Sequence, residues 1–386
     1  MHICLILGNT HPNKKLKLNV GGIANQILLL LPSYEKITDV KISLVTKYTE
    51  YKPSSNRMKI YEIHKYNNFI LDTLYFFLKS PLKILKIHKK DPINIINFHN
   101  STYFYSFIII IRLLFKIPLL MKIPLDFTSF LRDTSMPKEN KIRTRILNYS
   151  WFKIFKKIIL KKIDFIRAIN KKIYNDLISL NYPKERILKI PNGINSINFI
   201  DLQKNEREIS HFGYVGRLVK IKNLKILLFA FKNYFLKYPL DKLFIYGVGP
   251  EGEWISKFAK ENDLTGNVIL HGFEKNKRKI YSNIDVLIDP SFAQGISNSN
   301  LEAMCTNTFL IASDVFGNRD IIKPKLTGLL FNPFKKDDLL SQLLFFKKNP
   351  EIIKDMIDNA KNEILTNYEV NIITNKIYTY LRSNLS

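Results

Sequence analysis

The sequence predicts an α/β protein built as two doubly wound, Rossmann-like domains, and three observations carry that expectation. The chain has 386 residues, 46% of them apolar, which is more than one hydrophobic core usually organises and enough for two. Short runs of consecutive apolar residues alternate with helical patterns along both halves, and such runs mark parallel strands covered on both faces. The turn signal Pro191-Asn192-Gly193 and the polar stretch from Asn195 to Ser210 separate the two series.

In the first half, strands are expected at His2–Leu7, Lys41–Thr46, Met58–His64, Ile93–Asn97, Phe165–Ile169 and Ile187–Ile190. Helices are expected near Ile23–Leu31, Leu71–Lys79 and Lys172–Leu180. The second half repeats the pattern with strands at His211–Val215, Lys242–Tyr246, Asn267–Leu270, Val286–Ile288, Phe309–Ala312 and Gly328–Phe331. Its helices fall around Asn223–Lys237, Glu251–Glu261 and Leu301–Thr306. The expected division is residues 1–200, residues 201–370, and a last helix near 371–386 that returns to the first domain.

Composition excludes several classes. The chain is neither poor in hydrophobics nor rich in Pro and Gly, so long disorder is not expected, and no internal repeat stands out. Cys4 and Cys305, the two cysteines, lie in apolar settings and read as buried fillers, which fits a reducing compartment. The start lacks the basic flank and long apolar body of a signal peptide, so the expected location is the cytoplasm. The most apolar internal stretch, Tyr103–Phe115, is interrupted by Arg112 and falls short of the roughly 20 residues that span a bilayer.

The net charge of +27 is unevenly spread. Residues 1–200 hold 34 Lys and Arg against 12 Asp and Glu, whereas residues 201–386 hold 26 against 21. Compositional drift would load both halves alike, so the asymmetry points to an anionic partner for the first domain. Two basic amphipathic segments concentrate the charge: Trp151–Ile163, and Leu82–Lys90 behind the cluster Tyr75-Phe76-Phe77. No nucleic-acid-binding motif accompanies them, and the anionic membrane surface is the expected partner.

Four spaced elements in the second half carry the chemistry. They are Gly213-Tyr214-Val215-Gly216-Arg217-Leu218 with Lys222, then Tyr246-Gly247-Val248-Gly249-Pro250, then Asp289-Pro290-Ser291, and Gln294 eight positions before Glu302. In this order they resemble the retaining family 4 glycosyltransferases of the GT-B fold, strongly over 211–331 and loosely over 1–200. The resemblance implies that two parallel-sheet domains face each other across a cleft that holds a nucleotide-diphosphate sugar.

It also implies roles. Arg217 and Lys222 would stabilise the charge on a departing diphosphate without a metal. Glu302 would accept from the ribose hydroxyls, and His99 would touch the donor sugar. Gln294 stands where similar enzymes carry a glutamate: it keeps hydrogen bonding and loses a charge. Gly21 and Gly22 at a helix start, Gly216, the main chain of Gly272 and Phe273, and Gly295, Ser297 and Asn298 would complete donor binding. Gly247 and Gly249 read as a tight turn, and Asn307 as a position of positive φ. No Asp-x-Asp metal motif occurs and no resident cofactor is expected. The implied activity is retaining transfer of a sugar to a lipid-linked or cell-surface polysaccharide acceptor at the inner face of the cytoplasmic membrane. The alternative is a catalytically weakened donor-binding scaffold held there.

Overall fold

The computed structural model describes residues 1–8, 22–99, 112–113, 115–123, 160–199, 202, 210–335 and 337–385. The chain divides into two units: among the described residues, one holds those up to Gly193 and those from Val370 onward, the other Ile194–Glu369.

The first unit is organised by strands β1 (His2–Leu7), β2 (Lys41–Thr46), β3 (Met58–Glu62), β4 (Ile95–His99), β5 (Leu119–Ile123), β6 (Phe165–Ala168) and β7 (Ile187–Lys189). They form one sheet in the order β3-β2-β1-β4-β5-β6-β7, parallel at every pairing. All six residues of β1 are buried, as a central strand covered on both faces requires. The order reverses between β1 and β4, so ligand-binding loops are expected at their carboxyl ends, where His99 closes β4.

One face of this sheet is covered by α1 (Gly22–Glu35) and the last helix, α11 (Val370–Leu385), whose Val370, Ile373, Ile377 and Leu381 share a buried cluster with Ile27, Leu30 and Leu31. The other face receives α2 (Phe69–Lys90) and α3 (Lys171–Ser179) through Phe76, Phe77, Ile84, Ile173 and Leu177. The sequence suggests two helical pieces within 71–90; the structure instead holds one 22-residue helix that passes through Pro81. The ring removes a single N–H from the ladder, and the buried residues on either side keep the helix on the sheet. Asn170 caps α3 by accepting from the Ile173 amide at 2.8 Å.

The second unit contains β8 (His211–Val215), β9 (Lys242–Tyr246), β10 (Val268–Gly272), β11 (Val286–Asp289), β12 (Phe309–Ser313) and β13 (Leu329–Phe331). Again the sheet is parallel throughout, in the order β10-β9-β8-β11-β12-β13. Its helices are α4 (Leu224–Phe235), α5 (Gly252–Glu261), α6 (Lys277–Asn283), α7 (Asn298–Cys305), α8 (Phe316–Arg319), α9 (Asp338–Lys348) and α10 (Pro350–Asn367). Three of these, α6, α8 and α10, are absent from the sequence expectation, whereas Asp337-Asp338 reads in the sequence as the helix start that α9 confirms. The reversal of strand order lies between β8 and β11, which pair through Val286 with Phe212 and Leu287 with Gly213.

Both cysteines are buried, and burial pushes the Cys4 thiol up to about 12 and the Cys305 thiol to about 11, as suits inert core fillers. Among the described residues no helix is long and apolar enough to cross a membrane.

Candidate nucleotide-sugar site

The loops after β8 and β11 meet at the reversal point of the second sheet. A main-chain bond ties them, the Phe292 amide donating to the Ile221 carbonyl at 2.9 Å. Arg217 follows β8 by two residues with its side chain exposed, and its carbonyl accepts from the Tyr214 hydroxyl at 2.8 Å. Lys222 closes a single 3-10 turn, and Asn223, at φ 50°, turns the chain into α4. The two cations thus stand at the carboxyl end of the strand, where open parallel sheets receive ligands.

Lys222 reaches the β11 loop. Its Nζ donates to Gln294 Oε1 at 2.6 Å and to Ser291 Oγ at 3.3 Å. Burial lowers the pKa of this amine from its ordinary value; Asp289 opposes the shift and Arg217 adds to it. Behind Gln294 lies a polar network. Asp289 accepts from the Ser291 hydroxyl, from Gln294 Nε2 at 3.2 Å and from Asn300 Nδ2 at 2.9 Å. Asn300 also donates to Asn318 Oδ1 at 2.9 Å, Asn318 donates to the Ser313 carbonyl at 2.9 Å, and the Ser313 hydroxyl donates to the Ser291 carbonyl at 2.6 Å. Together these bonds connect the loop with β11, β12, α7 and α8, so the position of Gln294 is set from several sides.

Glycines let these loops pack. A Cβ on Gly247 would stand 1.8 Å from the Gly216 carbonyl oxygen, and one on Gly249 2.3 Å from that of Leu218. The pair therefore braces the Arg217 loop, as the sequence suggests, and Gly247 further donates to the Gly272 carbonyl at 2.7 Å. Gly317 plays the same part for the other loop: its Cβ would fall 2.3 Å from the carbonyl oxygens of both Gln294 and Gly295. Gly272 has φ +71° with open space around its Cα, so backbone conformation alone calls for glycine.

Glu302 lies within α7 and not at its start. Its carboxylate accepts from the Tyr281 hydroxyl at 2.8 Å and pairs with Lys277 Nζ at 3.3 Å. Burial and the nearby carboxylate drive the Tyr281 hydroxyl well above its ordinary pKa, so it remains a donor that aims Glu302. Ser297 precedes α7, with its hydroxyl 2.8 Å from that of Ser299; Gly295 is buried and Asn298 opens the helix. Phe273 is exposed after β10. Asn307 has φ 53°, the positive value expected from its sequence context.

In the first unit, Gly22 opens α1 and His99 ends β4, while Gly21 and the side chain of His99 lie outside the described residues. The structure thus brings Arg217, Lys222, Asp289, Gln294, Gly295 and Ser297 to one sheet end and adds Asn300, Asn318 and Tyr281, which sequence reasoning did not place there.

Two parallel, doubly wound units, each with one reversal of strand order, define a GT-B protein. Residues 198–363 match the glycosyl transferases group 1 and residues 20–196 match glycosyltransferase family 4, so the chain belongs to this family of glycosyltransferases. An uncharacterised glycosyltransferase of Methanocaldococcus jannaschii is 25% identical over 360 residues, covering 86% of each chain. The Escherichia coli UDP-Gal:α-D-GlcNAc-diphosphoundecaprenol α-1,3-galactosyltransferase is 24% identical over 307 residues, 76% of each. The crystal structure of Anabaena HepE in complex with UDP has a TM-score of 0.71 at 14% identity, covers 99% of this chain and 100% of its own, and shares the fold.

Proposed function

We propose that the enzyme transfers a sugar, with retention of anomeric configuration, from a nucleoside-diphosphate sugar to a lipid-linked or cell-surface polysaccharide acceptor at the inner face of the cytoplasmic membrane. The observation that carries this reading is Lys222, held at 2.6 Å from Gln294 beside the exposed Arg217 at the carboxyl end of β8. As the glycosidic bond breaks, charge grows on the diphosphate, and fixed cations there stabilise it more in the transition state than in the bound donor. Raising the charge beside Lys222 also reverses the cost of burying its ammonium. Glu302, aimed by Tyr281, is placed to accept from vicinal ribose hydroxyls, and the first-turn amides of α7 suit a phosphate or sugar oxygen. Retention and independence of metal belong to the proposal; with two cations on the leaving group, transfer should survive EDTA.

The acceptor class is supported by the galactosyltransferase relative, which acts on a diphosphoundecaprenol-linked sugar. A membrane surface is supported by α2. Its Leu71, Leu74, Leu78 and Leu82 share one helical face and are between 45% and 60% exposed. Lys86 and Lys89 lie on that face too, and a groove of about 500 Å³ beside it is lined by Tyr75, Lys79, Lys83, Lys86 and Lys89. Exposed leucines ringed by lysines suit an interface between acyl chains and anionic headgroups.

The test is transfer of label from a panel of radiolabelled nucleotide sugars to a membrane lipid extract by the purified protein. Arg217→Ala should lower transfer by about a hundredfold or more, as loss of a fixed transition-state donor does, and should do so more completely than Gln294→Ala. The reverse order would mean that the leaving group sits elsewhere, and retention of donor without transfer would favour the scaffold.

A further inference from the structure

Asp289 ends β11, is buried, and places an anion among the side chains of the donor site. Its Oδ1 accepts from the Ser291 amide at 3.3 Å and from the Ser291 hydroxyl, and its Oδ2 from Gln294 Nε2 at 3.2 Å and Asn300 Nδ2 at 2.9 Å. Gln294 turns its other end to Lys222, at 2.6 Å. Chemistry fixes the direction of this amide: an ammonium only donates and a carboxylate only accepts, so the oxygen faces Lys222 and the NH2 faces Asp289. A glutamate in the same rotamer would turn a bare oxygen toward Asp289 Oδ2, two like charges at hydrogen-bond distance. Asp289 and a glutamate at position 294 are therefore alternatives, and glutamine is the residue that Asp289 calls for.

We propose that Asp289 supplies the negative charge that similar enzymes hold at position 294, and that Gln294 is a neutral bridge passing it to Lys222. This rests on the reading that Lys222 meets the donor diphosphate. Asp289 is a positioning residue: through the amide it orients the lysine, and it opposes the fall in the amine's pKa that burial imposes. The missing charge at 294 is thus relocated within the site, and glutamine there is no mark of a dead enzyme.

The experiment is a charge exchange in the full-length protein. Wild type, Asp289→Asn, Gln294→Glu and the double variant are compared with Lys222→Met as reference, by calorimetric affinity for whichever of UDP, GDP and ADP binds wild type most tightly. Each single change should weaken binding by about tenfold or more, the range for disturbing a charged hydrogen-bond network. The double variant, with charge and amide exchanged, should recover most of that loss. Losses that simply multiply would overturn the proposal. If Lys222→Met binds as wild type does, or no nucleoside diphosphate binds wild type, the donor-site reading itself fails. If Lys222→Met loses binding while the exchange gives no recovery, only the role of Asp289 fails.

Should Asp289→Asn not fold, Gln294→Glu decides alone. Its affinity relative to wild type should rise as pH falls from about 8 to about 5, because protonating one of two facing carboxylates restores the missing donor. The other charged or titratable groups acting on Asp289 and Lys222 are Tyr214 and Arg217, and neither gains a proton in that range. A flat ratio would overturn the proposal. A purely structural Asp289 would shift melting temperatures and give neither the recovery nor the pH response.

Discussion

Lys222 combines two demands that pull against each other. Burial lowers its pKa, while the proposed contact with a diphosphate requires it charged. The sign of the stability effect follows. In the window just below its ordinary value of 10.5 the unfolded chain keeps the proton and the folded chain releases it, so stability rises with pH there and the penalty is fully present below the window. Melting curves across that alkaline range should rise for wild type relative to Lys222→Met, and parallel curves would show that the amine is not held this way. Gly317 offers a second check. Its Cβ would fall 2.3 Å from two carbonyl oxygens of the Gln294 loop, so Gly317→Ala should destabilise by about 1–3 kcal/mol, as overpacking does. Transfer should drop with it, because the loop that carries Gln294 must shift; unchanged activity would mean that the loop tolerates displacement.

Helix α2 carries the membrane argument. Its buried face holds Phe76, Phe77, Ile84 and Ile87, and its opposite face the four exposed leucines. Replacing Leu71, Leu74, Leu78 and Leu82 with Ser should lower partitioning onto anionic vesicles by about tenfold or more, since each buried methylene counts for about 0.8 kcal/mol, and should leave nucleotide affinity unchanged. Vesicle sedimentation reads this directly, and undiminished binding would send the interface elsewhere. The sequence shows α2 only in pieces, because Pro81 and the run of lysines beyond it look like an ending. The strands were far easier to see: β1, β2, β8, β9 and β12 are apolar runs that a doubly covered sheet demands. Helices α6 and α10 do carry start signals, Asn276 and Asn349-Pro350, but their mixture of charged and apolar residues blurs the helical period that follows. Basic segment 151–163 lies outside the described residues over 151–159, while Leu160–Lys162 form a 3-10 turn with Leu160 buried. The candidate site was legible where spacing along the chain carries it, as with Arg217, Lys222 and Gln294, which the fold brings to one sheet end. The polar network behind them was not, because Asn300 finds Asn318 at a distance of 18 residues and no local pattern reports such a meeting.

Among the described residues the chain passes from the first unit to the second at Gly193–Ile194 and returns at Glu369–Val370. Helix α11 is therefore part of the first core, where it buries Val370, Ile373, Ile377 and Leu381 against α1. Each such side chain stabilises by about 1.5–3 kcal/mol, so the four together approach the whole stability of about 5–15 kcal/mol typical of a domain. Deleting residues 370–386 should leave the first unit open to limited proteolysis while fragments from 194–369 stay protected; resistance of both would mean that α11 is dispensable.

That returning helix also sets an order in time. During synthesis the amino-terminal sheet emerges first but lacks its final cover until residues 370–385 follow, whereas residues 194–369 have every strand they need as soon as they leave the ribosome. The part made later can mature earlier, and emergence of the returning helix is the event that seals the part made first.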